Sequence, residues 1–212
     1  MTMNKTIQEV TNNIINRSKK TRELYLNMIK NSKIDGRNKN KMGCSNLAHV
    51  IAPMKDKEKE LLVDSTKANI GIITAYNDML SAHEPYKDYP DMIKDELSNF
   101  DATAQVAGGV PSMCDGVTQG KEGMELSLFS RDNIAMGTAV GLSHNVYDGG
   151  MYLGVCDKIV PGLMMGALSF GHLPAIFIPS GPMTSGISNS QKAKTRESFA
   201  MGKVGKDELL KV

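Results

Sequence analysis

Residues 69–74 read Asn69-Ile70-Gly71-Ile72-Ile73-Thr74. The run from Ile70 to Thr74 is short, apolar and rich in β-branched side chains, the pattern of a strand buried on both faces of a sheet. Downstream the pattern alternates. Asp91 to Phe100 has helical spacing, and Ala102 to Ala107 is a second strand candidate ending at Gly108-Gly109. Met124 to Phe129 and Asn133 to His144 read as helices, with Ser130 as a cap. Met151 to Val155 reads as a strand, and Gly162 to Phe170 as a helix with Pro161 in its first turn. Ala175 to Ile178 is a fourth strand, and from Ser188 onward the chain is polar and helix-prone. Strands alternating with helices predict an α/β fold, a mostly parallel sheet flanked by helices.

Upstream of Asn69 the character differs. Ile7, Val10, Ile14, Ile15, Leu24, Tyr25 and Met28 recur at helical spacing, which predicts one long amphipathic helix from Thr6 to about Met28, broken near Ser18. Residues 31–42 are polar and basic and contain the turn signal Asp35-Gly36. Leu61 to Lys67 reads as helix again. The expected organisation is therefore an amino-terminal helical segment, 1–68, followed by an α/β domain, 69–212.

Composition narrows the class. The 212 residues are 41% hydrophobic and 23% charged, values that exclude disorder or a coiled coil as overall readings. The net charge of +2 implies no general attraction to nucleic acid, although Lys and Arg cluster within residues 1–58. Nothing aromatic is interleaved with those charges, so a solvated face is the simpler reading. Residues 1–13 are polar and lack the apolar core of a signal peptide. No stretch approaches the ~20 apolar residues of a membrane span. A cytoplasmic protein is expected. Its three cysteines, Cys44, Cys114 and Cys156, are an odd number, which speaks for metal binding or free thiols over a disulfide framework.

Ligands of parallel α/β sheets bind at the carboxyl ends of the strands. Three polar or glycine-rich turns fall there: Tyr76 to His83, Gly108 to Gly120 and Cys156 to Gly162. The densest chemistry is Gly154-Val155-Cys156-Asp157-Lys158-Ile159-Val160-Pro161-Gly162, where a strand gives way to a helix. The helix amino terminus is expected to lower the pKa of Cys156 and favour thiolate, the form that binds iron. Asp157 offers hard oxygen suited to magnesium. Lys158 repels a metal unless it is neutralised, for example by carbamylation. A small buried thiol beside a surface ion pair is the plainer alternative, and spacing alone does not decide between them.

Cys156-Asp157-Lys158 with Pro161-Gly162, and Ser180-Gly181-Pro182-Met183 after it, resemble motifs of the dihydroxy-acid and phosphogluconate dehydratase family. So do Tyr76-Asn77-Asp78-Met79 and Cys114-Asp115-Gly116, the latter followed by Gly123-Met124, Ser127-Leu128 and Ser130-Arg131. Asn46-Leu47-Ala48-His49, Ser81-Ala82-His83, Gly108-Gly109-Val110-Pro111 and Leu142-Ser143-His144-Asn145 are more similar to the 6-phosphogluconate branch. The resemblance covers the chain from about Ile7 to its end, and several motifs in the right order make it specific.

The resemblance implies a hydro-lyase of the Entner-Doudoroff pathway that converts 6-phospho-D-gluconate to 2-dehydro-3-deoxy-6-phospho-D-gluconate. It implies that Cys156 is an iron–sulfur ligand and that Asp115, Asp157 and carbamylated Lys158 bind magnesium. The sister branch has a cluster cysteine where this chain has Ala82, which implies a different cluster, [4Fe-4S]. Cys114 is a substitute ligand or a buried free thiol; Cys44 is taken as structural. His83 is a substrate contact or a hydrogen-bonded structural histidine. Ser180 and Gly181 bring backbone amides to a phosphate or carboxylate, or form only a tight turn. Arg131 and Lys121 hold a phosphate or are surface charges; His49, His144 and His172 are read as structural. The resemblance places the catalytic base, a serine, and further metal ligands in a carboxy-terminal half beyond Val212. This chain alone is expected to be inactive, and the full-length form to be a homodimer. A dehydratase of another sugar acid or dihydroxy acid, and a non-catalytic binding product, are the rival readings.

Overall fold

The computed structural model describes residues 4–181 and 186–212. They form two compact units, Met1–Gly181 and Pro182–Val212. The first begins with α1 (Lys5–Ser32), opened by the Asn4 side chain accepting from the Thr6 amide at 2.9 Å. The helix runs through Ser18 unbroken, unlike the sequence expectation. The Ser18 hydroxyl donates to the Ile14 carbonyl at 2.7 Å and is satisfied within the helix. The Tyr25 hydroxyl ties α1 to the body of the unit by donating to the Leu168 carbonyl at 3.0 Å.

Gly36 turns the chain with φ +82°, as Asp35-Gly36 predicts. The basic stretch after it is not simply solvated. Lys39 is 2% exposed and donates to the Leu61 carbonyl at 3.3 Å. The Asn38 amide donates to Asp148 Oδ1 at 2.9 Å, and Asp148 Oδ2 accepts from the Asn69 amide at 2.9 Å. One carboxylate thus ties the stretch at Asn38 to the first strand, and the helical segment belongs to the same unit as strands β1–β4 below. Two short helices follow, α2 (Cys44–Ile51) and α3 (Asp56–Val63). Helix α3 stops short of the expected Lys67 because the Asp64 side chain accepts from both the amide and the hydroxyl of Thr66, at 2.8 and 2.7 Å.

The sheet is built from β1 (Asn69–Thr74), β2 (Thr103–Gly109), β3 (Gly149–Leu153) and β4 (Ala175–Ile178). Among the described residues it is all-parallel, in the order β2-β1-β3-β4. The flanking helices are α4 (Tyr89–Ser98), α5 (Asp115–Thr118), α6 (Leu126–Leu142) and α7 (Ile159–Ser169). Helix α6 is one element where the sequence suggests two. Ser130 lies buried inside it and donates to the Ser127 carbonyl at 2.6 Å instead of capping a new helix. Ile72 and Ile73 enter opposite sides of the sheet, as strand alternation requires. Ile73 packs with Leu142, Tyr152, Ile159 and Leu163, and Ile72 with Tyr86, Ala104 and Leu153. Each such aliphatic side chain contributes about 1.5–3 kcal/mol on burial. Helices α6 and α7 approach closely: a Cβ on Gly166 would stand 2.5 Å from Thr138 Cβ.

The second unit holds α8 (Asn189–Ala200), whose first turn is capped by Ser188 accepting from the Gln191 amide at 3.3 Å, and α9 (Lys206–Leu209). No helix among the described residues is long and apolar enough to cross a membrane.

The strand order positions the site. The chain passes from β1 to β2 on one side, then crosses to β3 on the other. The loops after β2 and β3 therefore meet over the carboxyl end of β1, at the switch point where such sheets bind ligands.

Candidate active site at the carboxyl ends of the strands

Asp115, the first residue of α5, comes from the loop after β2. Its Oδ1 accepts from the Ser127 hydroxyl at 2.6 Å, and its Oδ2 accepts from Lys158 Nζ. Lys158 caps α7 in the loop after β3, is 7% exposed, and also donates to Asp157 Oδ2 at 2.7 Å. Two carboxylates thus converge on one cationic atom. Hydrogen bonds from Lys158, then Ser127, hold the Asp115 carboxyl below the usual carboxylate value. Hydrogen bonds to Asp115, then Asp157, raise the Lys158 amine above its usual value, so without a metal it is an ammonium bridging the pair.

Cys156 precedes this cluster with φ +76°, in the left-handed region, and its carbonyl accepts from the Val160 amide at 3.2 Å in the turn that opens α7. The expectation of a depressed thiol pKa fails. Partial burial, then Cys114, Asp157 and Asp115, push the thiol up. Cys114 is half-buried, caps α5, and is near enough to act on Cys156. Cys44 is exposed at the start of α2.

His83 ends the loop after β1 and is 1% exposed, with no face open to a substrate in this conformation. Burial lowers its pKa, against a weaker effect of the Val155 backbone that favours the charged ring. Ser180 donates its amide to the Tyr86 hydroxyl at 2.8 Å and its own hydroxyl to the Ala82 carbonyl. Its amide is therefore engaged within the fold in this conformation, which accords with the tight-turn alternative. Gly181 is exposed beside it, while Pro182 and Met183 lie outside the described residues. Arg131 is half-buried with Nε unpartnered, and Lys121 is exposed. His49 is exposed, His144 Nδ1 pairs with the Gly141 carbonyl at 2.7 Å, and His172 is half-buried with Nδ1 unpartnered. Sequence reasoning missed Ser127 and Tyr86 as parts of the site. Ser127 had a signal, lying in the block that carries the family motifs; Tyr86 had none.

The donor set can be compared with what the family motifs imply. Two carboxylates aimed at one point fit magnesium, which takes oxygen ligands, at the place the ammonium now fills. Cys156 and Cys114 on adjoining loops are soft donors that fit iron–sulfur chemistry. Among the described residues no group of three or more His, Cys, Asp or Glu side chains converges.

Over residues 67–212 the chain matches the family model described as dihydroxy-acid/6-phosphogluconate dehydratase, N-terminal. The chain belongs to the dihydroxy-acid/6-phosphogluconate dehydratase family. It is 60% identical over 206 residues to a phosphogluconate dehydratase of Helicobacter pylori, an alignment covering 97% of this chain and 34% of that protein. With the phosphogluconate dehydratase of Escherichia coli it shares 56% identity over 208 residues, 98% of this chain and 34% of the relative. A dihydroxy-acid dehydratase of Akkermansia muciniphila is 33% identical over 153 residues, 69% of this chain and 27% of that protein. Within the dehydratase family the phosphogluconate enzymes are thus the nearer group, as the motifs suggested. The chain spans about a third of the length of the curated relatives it matches.

Proposed function

We propose that the protein is a hydro-lyase that removes water from 6-phospho-D-gluconate to give 2-dehydro-3-deoxy-6-phospho-D-gluconate, in the cytoplasm. The observation that carries this reading is the convergence of Asp115 and Asp157 on Lys158, beside Cys156, over the end of β1. The similarity to phosphogluconate dehydratases over nearly the whole chain supports the substrate.

Asp115, Asp157 and Lys158, the last as a carbamate, would hold magnesium; Cys156, with Cys114 as a second thiol, would hold an iron–sulfur cluster of the [4Fe-4S] type. Bound there, the two groups supply Lewis acidity of different hardness, one for the departing hydroxyl and one for the charge that develops beside the carboxylate. The chain's own part is to position and to tune. Ser127 orients the Asp115 carboxylate from within α6. The Lys158 ammonium holds the two carboxylates together; to become a carbamate ligand it takes up carbon dioxide and gives up two protons, so forming the metal site releases acid. Gly181, next to the engaged Ser180 amide, is the exposed backbone left to face a substrate anion.

The test is anaerobic purification of the protein as its gene encodes it, with iron, acid-labile sulfide and dehydration of 6-phosphogluconate measured together. Iron, sulfide and turnover of 6-phosphogluconate well above that of gluconate are expected. A preparation without iron that leaves 6-phosphogluconate untouched overturns the reading.

A further inference from the structure

His83 is buried in the loop after β1, and neither ring nitrogen makes a hydrogen bond of normal geometry, although the Val155 backbone lies within reach of the ring. Buried polar atoms are almost always paired, so an unpaired ring at a site points to a partner that arrives with the ligand. Its neighbours narrow what that partner is. The ring lies 5.9 Å from that of Tyr86, centroid to centroid, and Tyr86 in turn senses the charge of Cys156. The Tyr86 hydroxyl is already committed, donating to the Ile178 carbonyl and accepting from the Ser180 amide, both close to 2.9 Å. It cannot satisfy the imidazole. The remaining polar neighbour is the backbone of Val155, the residue before Cys156. Cys156 itself holds a left-handed conformation that a non-glycine residue keeps only when its surroundings enforce it.

We infer that His83 is a positioning residue for Cys156, packing against the strained Val155-Cys156 turn and offering a ring N–H to a soft, anionic sulfur acceptor there. That acceptor is either the Cys156 sulfur once it is a metal-bound thiolate or an inorganic sulfide bound beside it. The second half of the inference rests on the dehydratase reading; the first does not. Hydrogen bonds to cluster sulfurs and thiolates are a principal lever on cluster potential and retention.

The test compares wild type with His83→Ala and His83→Asn, taking His172→Ala as the control, in the protein as its gene encodes it. In the metal-free state, hydrogen exchange is followed in the peptide spanning 154–162 and in α8. In the iron-loaded state, retained iron, the electron paramagnetic resonance spectrum and the reduction potential are measured. His83→Ala is expected to speed exchange in 154–162 but not in α8, to lower iron affinity by about 10- to 100-fold, and to move the potential negative. His83→Asn, which keeps an N–H, should restore part of the spectrum and potential; His172→Ala should change neither. Wild-type exchange, spectrum and potential in both His83 variants would overturn the inference. A wild-type protein that binds no iron defeats the dehydratase reading, and faster exchange in His83→Ala then still upholds the support of the turn. If His83→Ala does not fold, His83→Asn decides: the wild-type potential sustains the N–H role, and the full shift toward negative removes it.

Discussion

Lys158 donates to Asp115 across 43 residues of chain, from the loop after β3 to the start of the helix after β2. The strands between them in the sheet make this possible. β2 and β3 flank β1, so their loops overhang the same strand end from opposite sides. The ion pair is the clasp between the overhangs, and Asp157 adds a second carboxylate from the lysine's own turn.

The clasp separates charge from ligand chemistry. Lys158→Arg keeps a cation between the carboxylates but cannot become a carbamate. Dehydratase activity is expected to fall at least about 100-fold, as for loss of a metal-site group, with little change in melting temperature. Activity within a few-fold of wild type would remove Lys158 from the metal site.

Asp115→Asn removes the charge that Lys158 and Ser127 both address. The expected result is a loss of magnesium dependence together with activity lower by about 100-fold or more, while iron content stays near wild type. Magnesium titration of activity, paired with iron analysis, reads both.

Cys156→Ser is expected to abolish iron binding, whereas Cys114→Ser should lower it in part. Visible absorbance and iron per chain after anaerobic reconstitution distinguish them. Equal, full retention by both variants would place the cluster elsewhere.

The contact between α6 and α7 leaves no room for a methyl group at Gly166, where a Cβ would meet Thr138 Cβ at 2.5 Å. Gly166→Ala should destabilise the fold by about 1–3 kcal/mol through overpacking, despite the better helix propensity of alanine. Denaturant unfolding gives the value, and a neutral result would mean the two helices separate more easily than their packing suggests.

Burial lowers the Lys39 amine below its ordinary 10.5, against the raising influence of Asp148 and Asp64. The burial of its charge opposes folding in full below the folded-state pKa. That opposition is relieved as pH rises from the folded value toward 10.5, because the unfolded chain there binds the extra proton. The stability advantage of Lys39→Met over wild type should therefore shrink with rising pH in that window. Paired denaturant curves at a series of alkaline pH values check the sign.

Much of this could be read from residue order. The β-branched run at Ile70–Thr74 and its three successors marked every described strand, because short apolar runs bounded by turn residues announce a strand even where, as in β4, the strand is not buried. The loops that carry Asp115 and Cys156 followed from the same alternation. What stayed hidden depends on distant partners. Ser130 looked like a cap, and only its bond to the Ser127 carbonyl shows it mid-helix. Lys39 sat in a basic stretch that reads as solvated, and its burial needs Leu61 and the sheet. The thiol of Cys156 was expected to be acidic from the helix it precedes, but burial, then Cys114, Asp157 and Asp115, push it up. Tyr86 gave no signal because its role is to engage Ser180, almost a hundred positions away.

The backbone of Cys156 has an evolutionary corollary. At φ +76° a glycine would be more comfortable than any residue bearing a Cβ, and the strain of a cysteine there is on the order of 1–3 kcal/mol. Mutation acting on foldability alone would drift toward glycine at this position and gain stability by doing so. Lineages that had ceased to use the thiol should be recognisable by that replacement, and a cysteine kept against the conformational gradient is the imprint of chemistry overruling stability.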